Sequence, residues 1–143
     1  MNTTVWHRSR SLVRRGSRRG VAAVEFALCL PLVATIVFGT VEAYNMIVLK
    51  QSLEVAAYEA VRLAVTPTAT SASVTQCGSN MLTQRKVNSG TVQISPADPS
   101  SVTPGNQITM TVTAPIDANR FSASWFFGSG NISVTCAMLK ESY

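Results

Sequence analysis

The segment between Arg18 and Val41 restricts the fold of this chain more than any other feature. It begins with Arg-Arg-Gly and four apolar residues, contains one acid, Glu25, and ends with sixteen uncharged residues. About 20 apolar residues are needed to cross a hydrocarbon core roughly 30 Å thick. Residues 21–41 are therefore predicted to form a transmembrane helix.

The arginines before this span indicate its direction. The first nineteen residues contain six arginines and no acid. A nucleic-acid-binding arm or a twin-arginine export signal would also be basic, but no folded nucleic-acid reader and no small-residue cleavage site follows. The positive-inside rule explains the arginines most simply. It predicts a cytoplasmic N-terminus and an external C-terminal domain.

Glu25 is the unusual residue of the span. A carboxylate at the bilayer centre costs about 2.5–3.5 kcal/mol on insertion scales, so such residues usually have a partner and a role. The alternative is that Glu25, four residues into the span, stays solvated near the headgroups, where the helix dipole favours it. The residue alone does not decide between the two interpretations.

The neighbouring residues resemble a known family. The run Gly20-Val-Ala-Ala-Val-Glu-Phe-Ala-Leu, which continues through Pro31, Phe38-Gly39 and Glu42-Ala43, resembles TadE-like minor pilins, or pseudopilins, of the tight-adherence (Flp-type) pilus system. The resemblance is close from about residue 18 to residue 65. It implies that a membrane prepilin peptidase removes residues 1–20 as a leader by cutting between Gly20 and Val21.

The resemblance also implies a location and partners. The protein would be a single-pass protein of the bacterial inner membrane, with a periplasmic C-terminal domain, and could join a surface pilus. Its partners would be the peptidase and other pilin or pseudopilin subunits, including a sister minor pilin and a major Flp pilin.

A physical reason connects the cleavage with Glu25. A cut on the cytoplasmic side leaves the span on the product and creates an amine at Val21. An α-amino group has a pKa of about 7.7–8.0 and is mostly cationic at neutral pH, and Glu25 lies one helical turn away. Pairing with its own or a neighbour's amine would neutralise two charges that are costly in apolar surroundings. We therefore expect Glu25 to direct assembly into a pilus or its initiating complex.

Beyond the span, the pattern becomes amphipathic. Apolar residues recur at spacings of three and four, and polar residues occupy the other side. The apolar side has Met46, Leu49, Leu53, Ala56, Ala60 and Leu63, and the polar side has Lys50, Gln51, Glu54, Tyr58 and Arg62. The helix is predicted to run from about Val21 to Val65, with residues 42–65 as its amphipathic continuation, and to stop at Thr66-Pro67 because the residue before proline disfavours helix.

Residues 66–143 are predicted to form a small extracytoplasmic domain. A linker covers residues 66–73, a second helix covers residues 73–85, and alternation of apolar and polar residues predicts strands at 91–94, 107–114 and 132–138. An aromatic cluster at residues 121–127 is expected to cover one end of the core. The alternative is that it docks on a neighbouring subunit or on the membrane surface. The predicted fold is α+β and pilin-like: a long N-terminal helix packed on a small domain with a second short helix and a three-stranded antiparallel sheet.

Cys77 and Cys136 lie on predicted apolar faces outside the membrane. An oxidising periplasm permits a disulfide bond between them, which in a chain-entropy model would add about 4 kcal/mol of stability. Two buried free thiols are the alternative, because sequence alone does not establish proximity.

The sequence offers little for catalysis. Its one histidine, His7, lies in the leader, its cysteines lack metal-ligand spacing, and no glycine-rich phosphate loop follows a strand. We expect no enzyme activity, cofactor, metal or nucleic-acid partner. The two functional hypotheses are a processed minor pilin, with adhesion or secretion as downstream roles, and an uncleaved single-pass membrane protein whose external domain binds a partner or acts as a scaffold.

Overall fold

The structure is a computed structural model that describes residues 17–120 and 128–142. The predicted leader up to residue 16 and the aromatic cluster at 121–127 lie outside the described residues. The chain divides into two compact units, one that extends to Val37 and one that begins at Phe38.

The first helix, α1, spans Ser17–Ala64 and contributes to both units. Its C-terminal end agrees with the prediction, and the Thr66 hydroxyl donates to the Leu63 carbonyl oxygen at 2.8 Å. Its N-terminal end lies four residues before the predicted start at Val21, and the two arginines there are good helix formers. The bond that follows Gly20 therefore lies within the helix rather than at its start.

The part of α1 in the second unit has the predicted amphipathic character. Its buried apolar residues are Leu49, Leu53, Ala56, Ala57, Ala60, Val61 and Ala64, and Lys50, Gln51, Glu54, Tyr58 and Arg62 are exposed. Four of the buried residues are alanines, whose small side chains let neighbouring elements approach the helix backbone. The exposed pairs Lys50–Glu54, at 3.8 Å, and Arg62–Glu59, at 3.7 Å, add little stability because water screens them.

The second helix, α2, spans Ser71–Gln84 and begins with a capping box. The Ser73 N–H donates to the Thr70 hydroxyl at 3.2 Å, and the Thr70 N–H donates to the Ser73 hydroxyl at 3.1 Å. These bonds satisfy donors that a helix N-terminus leaves unpaired. They explain why the helix starts two residues before the predicted Ser73.

Three antiparallel strands form one sheet in the order β1 (Thr91–Ser95), β2 (Gln107–Pro115) and β3 (Asn131–Leu139). The inward side chains of β2 are Ile108, Met110, Val112 and Ala114, all fully buried. This alternation confirms the predicted faces and the α+β fold class. Two short elements were not predicted: a 3₁₀ turn at Pro99–Ser101 and the helix α3 at Ile116–Asn119.

Gly78 sets the approach of α2 to its neighbours. A Cβ atom at this position would lie 2.9 Å from Val92 Cγ1 and 3.4 Å from Ala60 Cβ. The first distance is too short for a carbon–carbon contact. Glycine therefore permits α2 to pack closely against both β1 and α1.

Lys140 is a buried cation that joins three loops. Its ammonium donates to the carbonyl oxygens of Pro99 at 2.7 Å and Thr66 at 3.3 Å, and the residue is 7% exposed. A buried charge is tolerated when hydrogen bonds compensate for lost hydration. Lys140 thus connects the end of β3 to the chain segments after α1 and before β2.

Candidate functional site

The peptide bond between Gly20 and Val21 is accessible within α1. A Cβ atom on Gly20 would have no heavy atom within 4 Å, apart from the helix's own nearby backbone, and Val21 is 55% exposed. Glycine weakens a helix interior by roughly 0.5–1 kcal/mol relative to alanine. Gly20 therefore lowers the cost of unwinding the helix at this bond for a protease that needs an extended substrate.

Glu25 lies one helical turn beyond Val21, and its side chain is exposed. Residues four apart on a helix are surface neighbours. Among the described side chains, none forms an ion pair with Glu25. The carboxylate is therefore placed where an amine at Val21 or a cation on another molecule could reach it.

The helix around Glu25 has an apolar, exposed surface. Its exposed large apolar residues include Val21, Val24, Phe26, Leu28, Leu30, Leu32, Val33, Ile36 and Val37. Within Gly20–Ala64, a window of 18 residues has a mean hydropathy of 2.3 and no buried residue, so the helix is long and apolar enough to cross a membrane. The Thr35 hydroxyl donates to the Pro31 carbonyl oxygen at 2.8 Å, which satisfies a polar group on this surface.

Two polar residues of α1 in the second unit were not identified as site candidates from the sequence. Glu42 is only 7% exposed, and Asn45 has a buried Nδ2 atom that has no hydrogen-bond partner among residues 17–120 and 128–142. Both line a pocket with Asn119 and Arg120. The signal was present, because the three-and-four spacing of the apolar face, extended backward from Leu49, includes both positions.

In the structure, Cys77 and Cys136 are free thiols, without the disulfide bond that the sequence predicts. Cys77 lies on α2, which packs against β1, whereas Cys136 lies on β3 at the opposite edge of the sheet. Strands are spaced by about 4.8 Å, so two strand spacings exceed the roughly 7 Å between Cα atoms that a disulfide tolerates. The apolar patterns correctly placed both cysteines on partly buried faces. They carry no information about the distance between Cys77 and Cys136.

The free thiols give a testable prediction. In protein isolated without reductant and then denatured, Cys77 and Cys136 should both react with a maleimide, and each single Cys→Ser variant should lose one label. Burial, and then the Glu54 carboxylate, raise the pKa of the Cys136 thiol. Its native labelling should therefore be slower than its labelling after unfolding, because the thiolate is the reactive form. Thiols that react only after reduction would contradict the structure.

The external acid Asp98 has a structural role. Its carboxylate accepts hydrogen bonds from the Ser100 hydroxyl at 2.7 Å and the Ser100 N–H at 2.9 Å. These bonds hold the pKa of Asp98 below its usual value. Its contribution to stability is present above the unfolded-state pKa and is lost as the pH falls through the folded-state pKa. Within residues 17–120 and 128–142, no cluster of three metal-ligating side chains occurs.

Comparison with known proteins gives one match. The family model described as TadE-like protein matches residues 20–62, and no curated protein and no solved structure matches the chain. The match begins at Gly20, includes Glu25 and Glu42, and ends in the amphipathic half of α1. It confirms the resemblance noted in the sequence, and TadE-like pilins are in general not enzymes. Residues 20–62 are therefore similar to TadE-like protein, a family associated with the Tad pilus, and they lie in a helix that is long and apolar enough to cross a membrane.

Proposed function

We propose that this protein is a minor pilin or pseudopilin that is made as a precursor, cut after Gly20 by a prepilin peptidase, and assembled through its N-terminal helix into a pilus or a pilus-assembly complex. One observation carries this proposal. An accessible Gly20–Val21 bond, a lone carboxylate one turn later and an exposed apolar helix surface occur together in a TadE-like segment.

Cleavage would change the chemistry of the helix end. The arginine-rich leader would leave, and a new helix would begin at Val21 with a cationic amine and unpaired backbone N–H groups. A carboxylate is favoured near such a terminus. The Glu25 carboxylate could pair with the amine of its own chain or with the amine of an adjacent subunit. Only the second arrangement links two molecules.

The exposed apolar surface of α1 also supports insertion into the membrane followed by assembly into a pilus. Before assembly, lipid would cover this surface of α1, and the arginines of the leader would hold the N-terminus in the cytoplasm. In a pilus, helices of other subunits would replace the lipid. The amine–carboxylate pair would lower the cost of moving both charges from the membrane interface into the helix bundle. The domain that follows would remain in the periplasm or on the pilus surface.

The test is the N-terminus of the mature protein. The intact mass and N-terminal sequence should be measured on protein from the membrane fraction of its native host and of a strain without its prepilin peptidase. We expect a chain that begins at Val21 in the first strain and a chain that retains residues 1–20 in the second. A native chain that retains its leader would favour an uncleaved membrane protein with an external partner-binding or scaffold domain.

A further inference from the structure

An open pocket of about 100 Å³ lies beside α1 in the second unit. Its polar lining residues are Asn45, Ser52, Arg85, Lys86 and Asn119. Arg85 and Lys86 are exposed, and none of the described residues that line this pocket is acidic. Glu42, which precedes Asn45 by three residues on α1, lines the adjacent pocket together with Arg120. The pocket therefore presents two cations with no acid in its lining.

Asn45 supplies a hydrogen-bond donor to this pocket. Its Nδ2 atom is buried and has no hydrogen-bond partner in the described part of the chain. The other polar side chains are engaged: the Ser52 hydroxyl donates to the Val48 carbonyl oxygen at 2.8 Å, and Asn119 Nδ2 donates to the carbonyl oxygens of Asn88 and Pro115. Buried donors are nearly always satisfied in folded proteins. An acceptor bound in the pocket would satisfy this donor once the Asn45 side chain turns towards it.

The loop that carries the two cations is held in place. Arg85 caps α2, and Lys86 follows in the left-handed region at φ 57°, where glycine is the usual residue. The Asn88 N–H donates to Asn119 Oδ1 at 2.6 Å, which fixes the loop to the segment after β2. The cationic side chains are thus attached to an anchored backbone beside α1.

The pocket lies close to the end of the apolar span. Asn45 is four residues beyond Val41, a rise of about 6 Å along the helix. The headgroup layer extends roughly 5–7 Å beyond the hydrocarbon on each side. Tyr44 is 64% exposed, and tyrosine is enriched at this interface. If the hydrocarbon ends near Val41, the Asn45 end of the pocket is at headgroup depth, and the Ser52 end lies farther from the membrane.

We propose that this pocket binds the headgroup phosphate of an anionic phospholipid through Arg85, Lys86 and the side-chain amide of Asn45. Arginine and lysine are the usual phosphate-binding side chains, and a buried amide adds a directed hydrogen bond. The bound lipid would hold the external domain against the membrane surface. The inference rests on the membrane anchoring in the proposed function and is independent of cleavage and assembly.

The test uses the full chain in detergent and native mass spectrometry with added phosphatidylglycerol or phosphatidylcholine. The wild type should retain phosphatidylglycerol preferentially. Loss of both cations in the Arg85→Gln/Lys86→Gln variant should weaken this binding about thirtyfold, or fivefold for each cation. The Lys50→Gln/Arg62→Gln variant has the same change in charge at exposed positions outside the pocket and should bind as the wild type does. The Asn45→Ala variant should bind severalfold more weakly.

Several outcomes would overturn the inference. These are equal retention of the two lipids, equal weakening by the two double variants, or unchanged binding in both pocket variants. Inorganic phosphate that displaces phosphatidylglycerol at equal concentration would assign the pocket to a free anion instead. Melting curves of each variant establish that it is folded. The N-terminus of the mature protein is a separate readout, so failure of lipid binding and failure of the proposed processing are distinguishable.

Discussion

The Glu25→Ala protein is expected to insert into the membrane and to lose its leader, but to enter pili more than tenfold less than the wild type. An amine that moves into a helix bundle without its carboxylate partner is an uncompensated charge in apolar surroundings. A carboxylate at the bilayer centre costs about 2.5–3.5 kcal/mol on insertion scales. If the unpaired amine costs a similar amount, the loss of affinity exceeds tenfold, because each 1.4 kcal/mol is a factor of ten. Quantitative immunoblots of sheared pili and of membranes would measure the ratio.

Two variants separate charge from other effects. Glu25→Gln keeps the shape of the side chain and removes its charge, so it should assemble as poorly as Glu25→Ala. Glu54→Gln removes a carboxylate from the exposed side of the amphipathic half of α1, where its side chain is 49% exposed, and should assemble normally. Normal incorporation of Glu25→Ala would contradict the assembly role and would favour an acid that is merely solvated at the headgroups.

The Leu53→Ala substitution is expected to lower the free energy of unfolding of the second unit by about 3 kcal/mol. Leu53 is fully buried and belongs to the core cluster that includes Ile108, Met110 and Val112. Removal of a buried leucine side chain loses its transfer free energy and leaves a cavity, at a combined cost of about 2–5 kcal/mol. The melting temperature of the full chain in detergent should fall by roughly 10–20 °C. Near-ultraviolet circular dichroism would follow this transition.

Leu139→Ala is the matched control, because it makes the same chemical change at a position that is 64% exposed. Exposed substitutions of this kind usually change stability by less than about 0.5 kcal/mol. A similar fall in melting temperature for both variants would show that α1 does not form the core with the sheet as described.

Local patterns were sufficient to predict much of the fold. The alternation in residues 107–114 identified the strand and its buried face, because successive side chains of a strand point to opposite sides of the sheet. The spacing of apolar residues by three and four after Met46 identified the buried side of α1, because residues at this spacing lie on one side of a helix. Thr66-Pro67 located the end of the helix, because proline restricts the residue before it.

Other features were missed because they lack a periodic pattern or depend on segments distant in sequence. The short helix α3 and the 3₁₀ turn at Pro99–Ser101 contain no periodic apolar pattern. Lys140 resembles an exposed terminal lysine in the sequence, yet it donates to the carbonyl oxygen of Pro99, 41 residues away. The unpaired amide of Asn45 similarly becomes evident only once α2 and its following loop lie beside α1.

The sequence by itself determined the transmembrane candidate, the TadE-like segment with Gly20, Val21 and Glu25, and the order of helices and strands. These features depend on hydropathy, charge and periodicity, which are local properties of the chain. Only the tertiary structure decided that Cys77 and Cys136 are separated and that Arg85, Lys86 and Asn45 share a pocket. Such distances follow from how the elements pack against one another, and packing joins residues whose separation along the chain carries no signal of their proximity.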